Sequence, residues 1–134
     1  MSDWNQQIID EFRANDGKVA QFAGADMVLV HHTGAKSGTE RVTPLVARLD
    51  GDDIIIFASK AGAPTNPDWF HNLVANPSTT IELGTDTVAV TARVAEGDER
   101  ERLWSRQKEE MPGFAEYEAS AGTRQIPVVV LERS

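Results

Sequence analysis

The sequence predicts an α+β, mainly β fold: a small antiparallel barrel with helices laid against it. Two observations carry this. About six strand-like segments occur, and short Gly-containing turns link most of them into hairpins. One helical segment follows the third strand and a helical pair precedes the last, which places the helices outside a single sheet system. At 134 residues with 40% hydrophobic content, the chain has enough apolar material for one core and one domain body.

In order, residues 4 to 15 read as a helix, with Asp3 as its cap, Gln6 in capping-box position and Gly17 just past the end. Trp4, Ile8 and Phe12 share one face. That face suits packing on the domain, a lid, or peripheral contact with a membrane surface, and composition leaves these open. This amphipathic helix and its connector take residues 1–25, and the barrel takes 26–134. Strands follow at Met27 to Thr33, Thr39 to Leu49 and Asp53 to Ser59, with Asp50-Gly51-Asp52 as a tight turn. The unbroken run Ile54-Ile55-Ile56-Phe57 predicts a strand covered on both faces. Asn66 is the expected cap of the next helix, with Pro67 in its first position and Asp68 favoured by the positive helix end; Asn76-Pro77 stops it. Two strands follow at about Thr79 to Leu83 and Thr87 to Ala95, the second alternating apolar and polar residues. A charged helix from Asp98 carries the stripe Leu103, Trp104, Gln107 and Met111. Pro112-Gly113 interrupts it before a short helix, Phe114 to Ser120, and Pro127 to Glu132 forms the last strand.

Composition excludes several functions. A net charge of -8 argues against nucleic-acid binding, which needs a broad basic face. The absence of cysteine removes disulfide and thiolate chemistry and suits a reducing compartment. With no apolar run near 18 residues and no signal-peptide pattern, a soluble cytoplasmic protein is expected, membrane-associated only if the first helix makes that contact. No metal site is expected: His31 and His32 are adjacent, so a strand points them to opposite sides, and His71 stands alone. A Ser-His-Asp hydrolase has no nucleophile elbow here.

Three segments can carry chemistry. Val30 to Pro44 places Lys36, Arg41 and two histidines around a Gly-bounded turn on an acidic chain, a setting for an anionic small molecule. It is not a P-loop, because Ala35 stands where the second Gly is needed and a strand follows instead of a helix. Ala58-Ser59-Lys60-Ala61-Gly62 is a strand exit into small residues that would let a flat ligand reach the backbone. Asn66 to Asn72 offers a helix N-terminus to an anion.

Together these motifs, Thr-Gly-Ala-Lys-Ser-Gly-x-x-Arg-Val-x-Pro-Leu, then Ala-Ser-Lys-Ala-Gly-Ala, then Asn-Pro-x-Trp-x-x-Asn-Leu-x-Ala-Asn-Pro, closely resemble the deazaflavin-dependent nitroreductase family of actinobacteria. The likeness runs from about Met27 to Arg133. It implies a split β-barrel of the flavin-reductase type and coenzyme F420, a 5-deazaflavin with a phosphate and an oligoglutamate tail, in preference to FMN. The resemblance implies that Ala35, Lys36, Ser37 and Arg41 meet the tail. It places Arg41, Val42, Thr43, Pro44, Leu45 and Val46 beside the ring, and Phe57, Ala58, Ser59 and Lys60 against it. Asp68, Trp69, Phe70, His71 and Asn72 would contact the tail and phosphate. Met111, Phe114 and Tyr117 match a substrate-side region that is rich in tyrosine in the family, with Tyr117 alone keeping a hydroxyl as a candidate proton donor. The implied activity is hydride transfer from reduced F420 to an apolar acceptor, a quinone or a nitro compound, with nitroimidazole prodrugs put in doubt by the missing tyrosines. An FMN-dependent reductase or oxidase and a non-catalytic deazaflavin carrier are the alternatives, and a homodimer is left open.

Overall fold

The computed structural model describes residues 3–20, 26–35, 37–59, 66–122 and 125–133, with no account of the side chains of residues 3–5. The elements are α1 (Asp3–Ala14), β1 (Asp26–Thr33), β2 (Glu40–Asp50), β3 (Asp53–Phe57), α2 (Asp68–Ala75), β4 (Ser78–Leu83), β5 (Asp86–Val94), α3 (Gly97–Glu110), α4 (Gly113–Ser120) and β6 (Val128–Arg133). The strands close into a barrel in the order β1-β2-β3-β6-β5-β4, and β4 returns to pair with β1. Every adjacent pair is antiparallel.

The apolar runs explain which strands sit where. Successive strand residues point to opposite faces, so an unbroken apolar run needs cover on both. In β3, Ile54 and Ile56 join Val129 and Leu131 of β6 inside the barrel, while Ile55 and Phe57 face outward with Val128 and Val130 under α3 and α4. In β1, Val28 and Val30 point inward, and Met27 and Leu29 pack outward on Ile8, Ile9 and Phe12 of α1. β4 and β5 lack such cover and alternate. Trp69 and Leu73 of α2 join the interior cluster at one end of the barrel.

Several local expectations need correction. Gln6 does not close a capping box on Asp3: its Nε2 donates to Asp10 Oδ1 at 2.9 Å, and Asp3 already lies within the helix. Pro67, with extended backbone (φ -70, ψ 156), is the N-cap of α2 in place of Asn66, and the helix begins at Asp68. β3 ends at Phe57, two residues early, although Ala58 N–H still donates to Pro127 O at 3.0 Å. Ile8 and Phe12 of the predicted α1 face are buried against β1; the Trp4 side chain lies outside the described residues.

Two contacts fix α1. Arg13 donates to both carboxylate oxygens of Glu82 on β4, at 3.0 and 2.7 Å. Gly17 (φ +92) then lies so close to the β4–β5 turn that a Cβ would sit 2.7 Å from Gly84 Cα. On the opposite side, Gln107 of α3 is fully buried; its Oε1 accepts from Arg48 Nε at 2.9 Å and its Nε2 donates to Met111 Sδ at 3.3 Å.

Candidate functional site

The β1–β2 turn is built by short hydrogen bonds. Gly34 N–H donates to Thr39 O at 2.8 Å, Gly38 N–H to Gly34 O at 2.9 Å and Thr39 N–H to Ser37 Oγ at 3.2 Å. Gly38 has φ +69, the left-handed region where a side chain is disfavoured. Against this turn stands α2. Between them runs a groove of about 660 Å³, walled by Gly34, Ala35 and Ser37 of the turn, Arg41 of β2, and Asp68, His71 and Asn72 of α2.

One hydrogen-bond chain, buried at His32 and Asn72, holds the groove's two walls together. Ala35 N–H donates to Asn72 Oδ1 at 2.9 Å. Asn72 Nδ2 lies 2.9 Å from His32 Nδ1, and His32 Nε2 lies 2.8 Å from Thr43 Oγ1. Asn72 and His32 are only 7% and 4% exposed. Burial pushes the His32 imidazole below its ordinary range; Arg41 adds to that, and Asp68 opposes it.

Beside this groove the two ladders of β2 are offset. β2 pairs with β3 only from Ala47 to Asp50, whereas it pairs with β1 from Glu40 to Ala47. Among the described residues, the β3-side edge of Glu40 to Val46 therefore has no ladder partner, and a flat ligand with ring carbonyls and N–H groups can meet backbone there. Cross-strand pairing with His32 and Val30 puts Arg41 and Thr43 on the inward face with Leu45, while Val42 and Pro44 face outward. Ala58 is buried and Ser59 half-buried at the exit of β3.

The predicted substrate residues gather elsewhere on the same strand exit. Phe114 is buried 5.7 Å from Phe57, ring centre to ring centre, and Tyr117 packs edge-on to Phe114 at 5.3 Å. Met111 flanks this cluster and is tied to Gln107. So the turn and α2 meet at the groove, and the substrate set meets the β3 exit at Phe57. Lys36 and Lys60 lie outside the described residues. Trp69 is 6% exposed in the barrel's interior cluster, and Phe70 packs partly against that cluster. Asn72 lines the groove, but both its polar atoms are already hydrogen-bonded within the protein.

Sequence reasoning set His32 aside with the metal question, although its signal was present: in β1 the residues at 28, 30 and 32 share the inward face, so a histidine there must find buried partners. No metal-binding group of three His, Cys, Asp or Glu occurs among the described residues.

This is a split β-barrel of the flavin- and deazaflavin-reductase type, with an open strand edge leading into a groove that offers Arg41, the Ser37 hydroxyl and the N-terminus of α2 to an anion. Sequence comparison narrows it further. A family model described as F420H(2)-dependent quinone reductase matches residues 4–133, and the chain belongs to that family. It is similar to an F420H(2)-dependent quinone reductase of Mycobacterium tuberculosis, 38% identical over 126 residues, covering 91% of this chain and 85% of the relative. Among solved structures, an F420-H2 dependent reductase (FDR-A) is 39% identical with a TM-score of 0.72, covering 80% of this chain and 94% of its own. A second, described as a domain-swapped dimer, is 34% identical with a TM-score of 0.73, covering 97% and 98%.

The residues present fit coenzyme F420. A polyanionic tail needs donors in an open groove, and a planar ring needs unpaired backbone beside it; the groove is continuous through Arg41 with the β2 edge that has no ladder partner among the described residues. Among the described residues of the groove wall, Asp68 is the one acid and Arg41 the one full cation.

Proposed function

We propose that the groove between the β1–β2 turn and α2 takes the anionic tail of coenzyme F420, and that the open edge of β2 with Phe57 to Ser59 takes its ring. The chain is an oxidoreductase of the F420H(2)-dependent quinone reductase family, passing hydride to a quinone. The observation that carries the assignment of residues is the continuity, through Arg41, of the donor-lined groove with the β2 edge that has no ladder partner among the described residues.

When bound and reduced, the deazaflavin supplies a hydride, two electrons with one proton in a single transfer. The protein's own part is to bind, orient and exclude water. Arg41, Ser37 and the first turn of α2 hold the anionic end, and Lys36 and Lys60 are proposed to join from neighbouring chain. Met111 and Tyr117, both half-buried, are proposed to meet the acceptor, backed by the buried Phe57–Phe114 pair. Tyr117 is proposed as a hydrogen-bond donor to the acceptor oxygen. A quinone is the acceptor the family points to, and a nitro compound is proposed as the second.

A homodimer is the proposed assembly, supported by the 34% identical structure described as a domain-swapped dimer. The Ile8, Ile9 and Phe12 stripe of α1 is buried on β1, which supports docking of that stripe on the barrel, and the Trp4 side chain lies outside the described residues. No helix of the described residues is long and apolar enough to cross a membrane, and a cytoplasmic location is proposed.

Fluorescence titration of the purified chain with F420 and with FMN tests the reading, followed by turnover with menadione. Tighter binding of F420 with quinone-dependent oxidation supports it. Equal or tighter binding of FMN would favour a flavin enzyme, and F420 binding without turnover would favour a carrier.

A further inference from the structure

We infer that His32 is a positioning residue for the groove, acting only as a neutral imidazole protonated at Nε2, and that a second proton unlocks the β1–β2 turn from α2. The inference deepens the tail-binding reading above and rests on it for the ligand, but not for the coupling inside the protein.

Donor and acceptor accounting carries it. A backbone N–H can only donate, so the Ala35 bond requires the Asn72 oxygen on that side. The Asn72 NH2 therefore faces His32, 2.9 Å from Nδ1, and Nδ1 must be the bare acceptor. The ring proton is then on Nε2, where it donates to Thr43 Oγ1 at 2.8 Å. The Thr43 hydroxyl can rotate to suit either state, so it sets no constraint. The Asn72 contact does. An imidazolium would bring an N–H against an NH2. Turning the Asn72 amide over relieves that clash only by setting its NH2 against the Ala35 N–H. Either way one bond of the chain is lost: the His32 contact that fixes the Asn72 amide, or the Ala35 bond that this amide makes to the turn, and the tie between the groove's two walls loosens.

The surroundings keep the neutral form in ordinary conditions. Burial disfavours the cation most, and Arg41 from β2 and His31 from β1 oppose it as well. Asp68 from α2 favours it, against that sum. His71 of α2 lies on the same groove wall. Since the folded state resists a proton that the unfolded chain accepts near pH 6.5, stability falls as pH drops from about 6.5 through the folded value.

The sign of the effect on binding separates this from simple charge. A new positive charge beside an anion groove would tighten binding as pH falls. Loss of the lock weakens it. One pH unit below the His32 midpoint only about a tenth of the molecules keep the locked groove, so affinity falls about ten-fold.

The test begins on the unliganded chain, by NMR from pH 4.5 to 8. The expected result is an Nε2–H tautomer of His32, a midpoint below that of a free imidazole, and an Ala35 amide shift that follows the same midpoint. An Nδ1–H tautomer, or an Ala35 amide indifferent to His32, overturns the inference without any ligand. The second arm compares F420 affinity of the wild type and His32→Asn, whose Oδ1 stands where Nδ1 accepts and cannot titrate. Ionisation of the ligand cancels in the ratio. The ratio at pH 8 sets the baseline, and against it the wild type should fall behind about ten-fold one unit below the midpoint. Wild-type affinity that rises against the variant overturns the inference in favour of charge. If neither protein binds F420, the tail-binding reading fails, and the Ala35 amide alone decides the coupling.

Discussion

Replacing Asn72 by Ala should cost the protein stability before any cofactor is added. The side chain is 7% exposed and supplies both an acceptor to Ala35 N–H and a donor to His32 Nδ1. Removing it strands two polar groups, each worth about 1–3 kcal/mol when buried and unsatisfied. Ala35 is exposed, so water can take its N–H and that part lies at the low end; His32 is buried and lies higher. A total of about 2–4 kcal/mol follows. For 134 residues, unfolding entropy of about 2.1 cal/mol/K per residue gives roughly 0.28 kcal/mol/K, so the Tm should drop by about 7–14 °C. A residue that touched only the ligand would leave Tm within about 2 °C, the scale of an ordinary surface change of about 0.5 kcal/mol. Differential scanning calorimetry of the unliganded chain at pH 7.5 reads this directly. A Tm within 2 °C of wild type would refute the claim that Asn72 ties the turn to α2. Asn72→Asp sharpens the test. Its carboxylate still accepts from Ala35 but faces His32 with an acceptor, so the histidine should hold its proton. With the folded value raised, the contribution is fully present below about pH 6.5 and fades as pH rises through the folded value, the reverse of the wild type.

Gly17→Ala should destabilise by at least about 1–3 kcal/mol, since a Cβ at φ +92 is strained and would sit 2.7 Å from Gly84 backbone, and thermal melts should show it. Glu82 is held below the usual carboxylate range first by its Arg13 hydrogen bond, with burial opposing, so its contribution is present above about pH 4.5 and is lost as pH falls through the folded value; Glu82→Gln should flatten that acid limb in pH-dependent urea titrations. Arg41→Ala should weaken F420 binding about ten-fold or more, with a smaller salt dependence than wild type, because one charge-assisted contact is worth roughly 1.5–3 kcal/mol; unchanged affinity in fluorescence titration would move the tail elsewhere. Tyr117→Phe should slow menadione reduction by less than about 10²–10⁴-fold with cofactor affinity unchanged, the range one proton donor supplies; full activity would make Tyr117 a packing residue.

The barrel was legible in the chain because its strands differ in kind. The unbroken apolar runs of β1, β3 and β6 require cover on both faces, and α1 with the α3–α4 pair provides it. The alternating β5 needs cover on one. Element ends were less legible because neighbouring residues offer near-equal solutions. Asn66 and Pro67 both favour extended backbone, so the local sequence does not choose which of them caps α2. Asp10 competes with the helix start for the Gln6 amide, and wins at one turn's distance. The three motifs of the family resemblance were legible as a set, and two of them meet at one groove. What the chain could not display was the division of labour inside that set. Asn72 reads as a ligand contact because it is a polar residue on a short helix beside a cationic turn. Its partners are Ala35 and His32, 37 and 40 residues away, and only their positions in the fold show that both ends of its amide are engaged within the protein. His32 is the converse case: strand parity already sent it inward, and an inward histidine must bond to something. The pair is thus half visible from each side. Parity demands a partner for His32, and the spare polarity of Asn72 offers one, but joining them requires knowing that α2 crosses the mouth of the barrel at the end of β1.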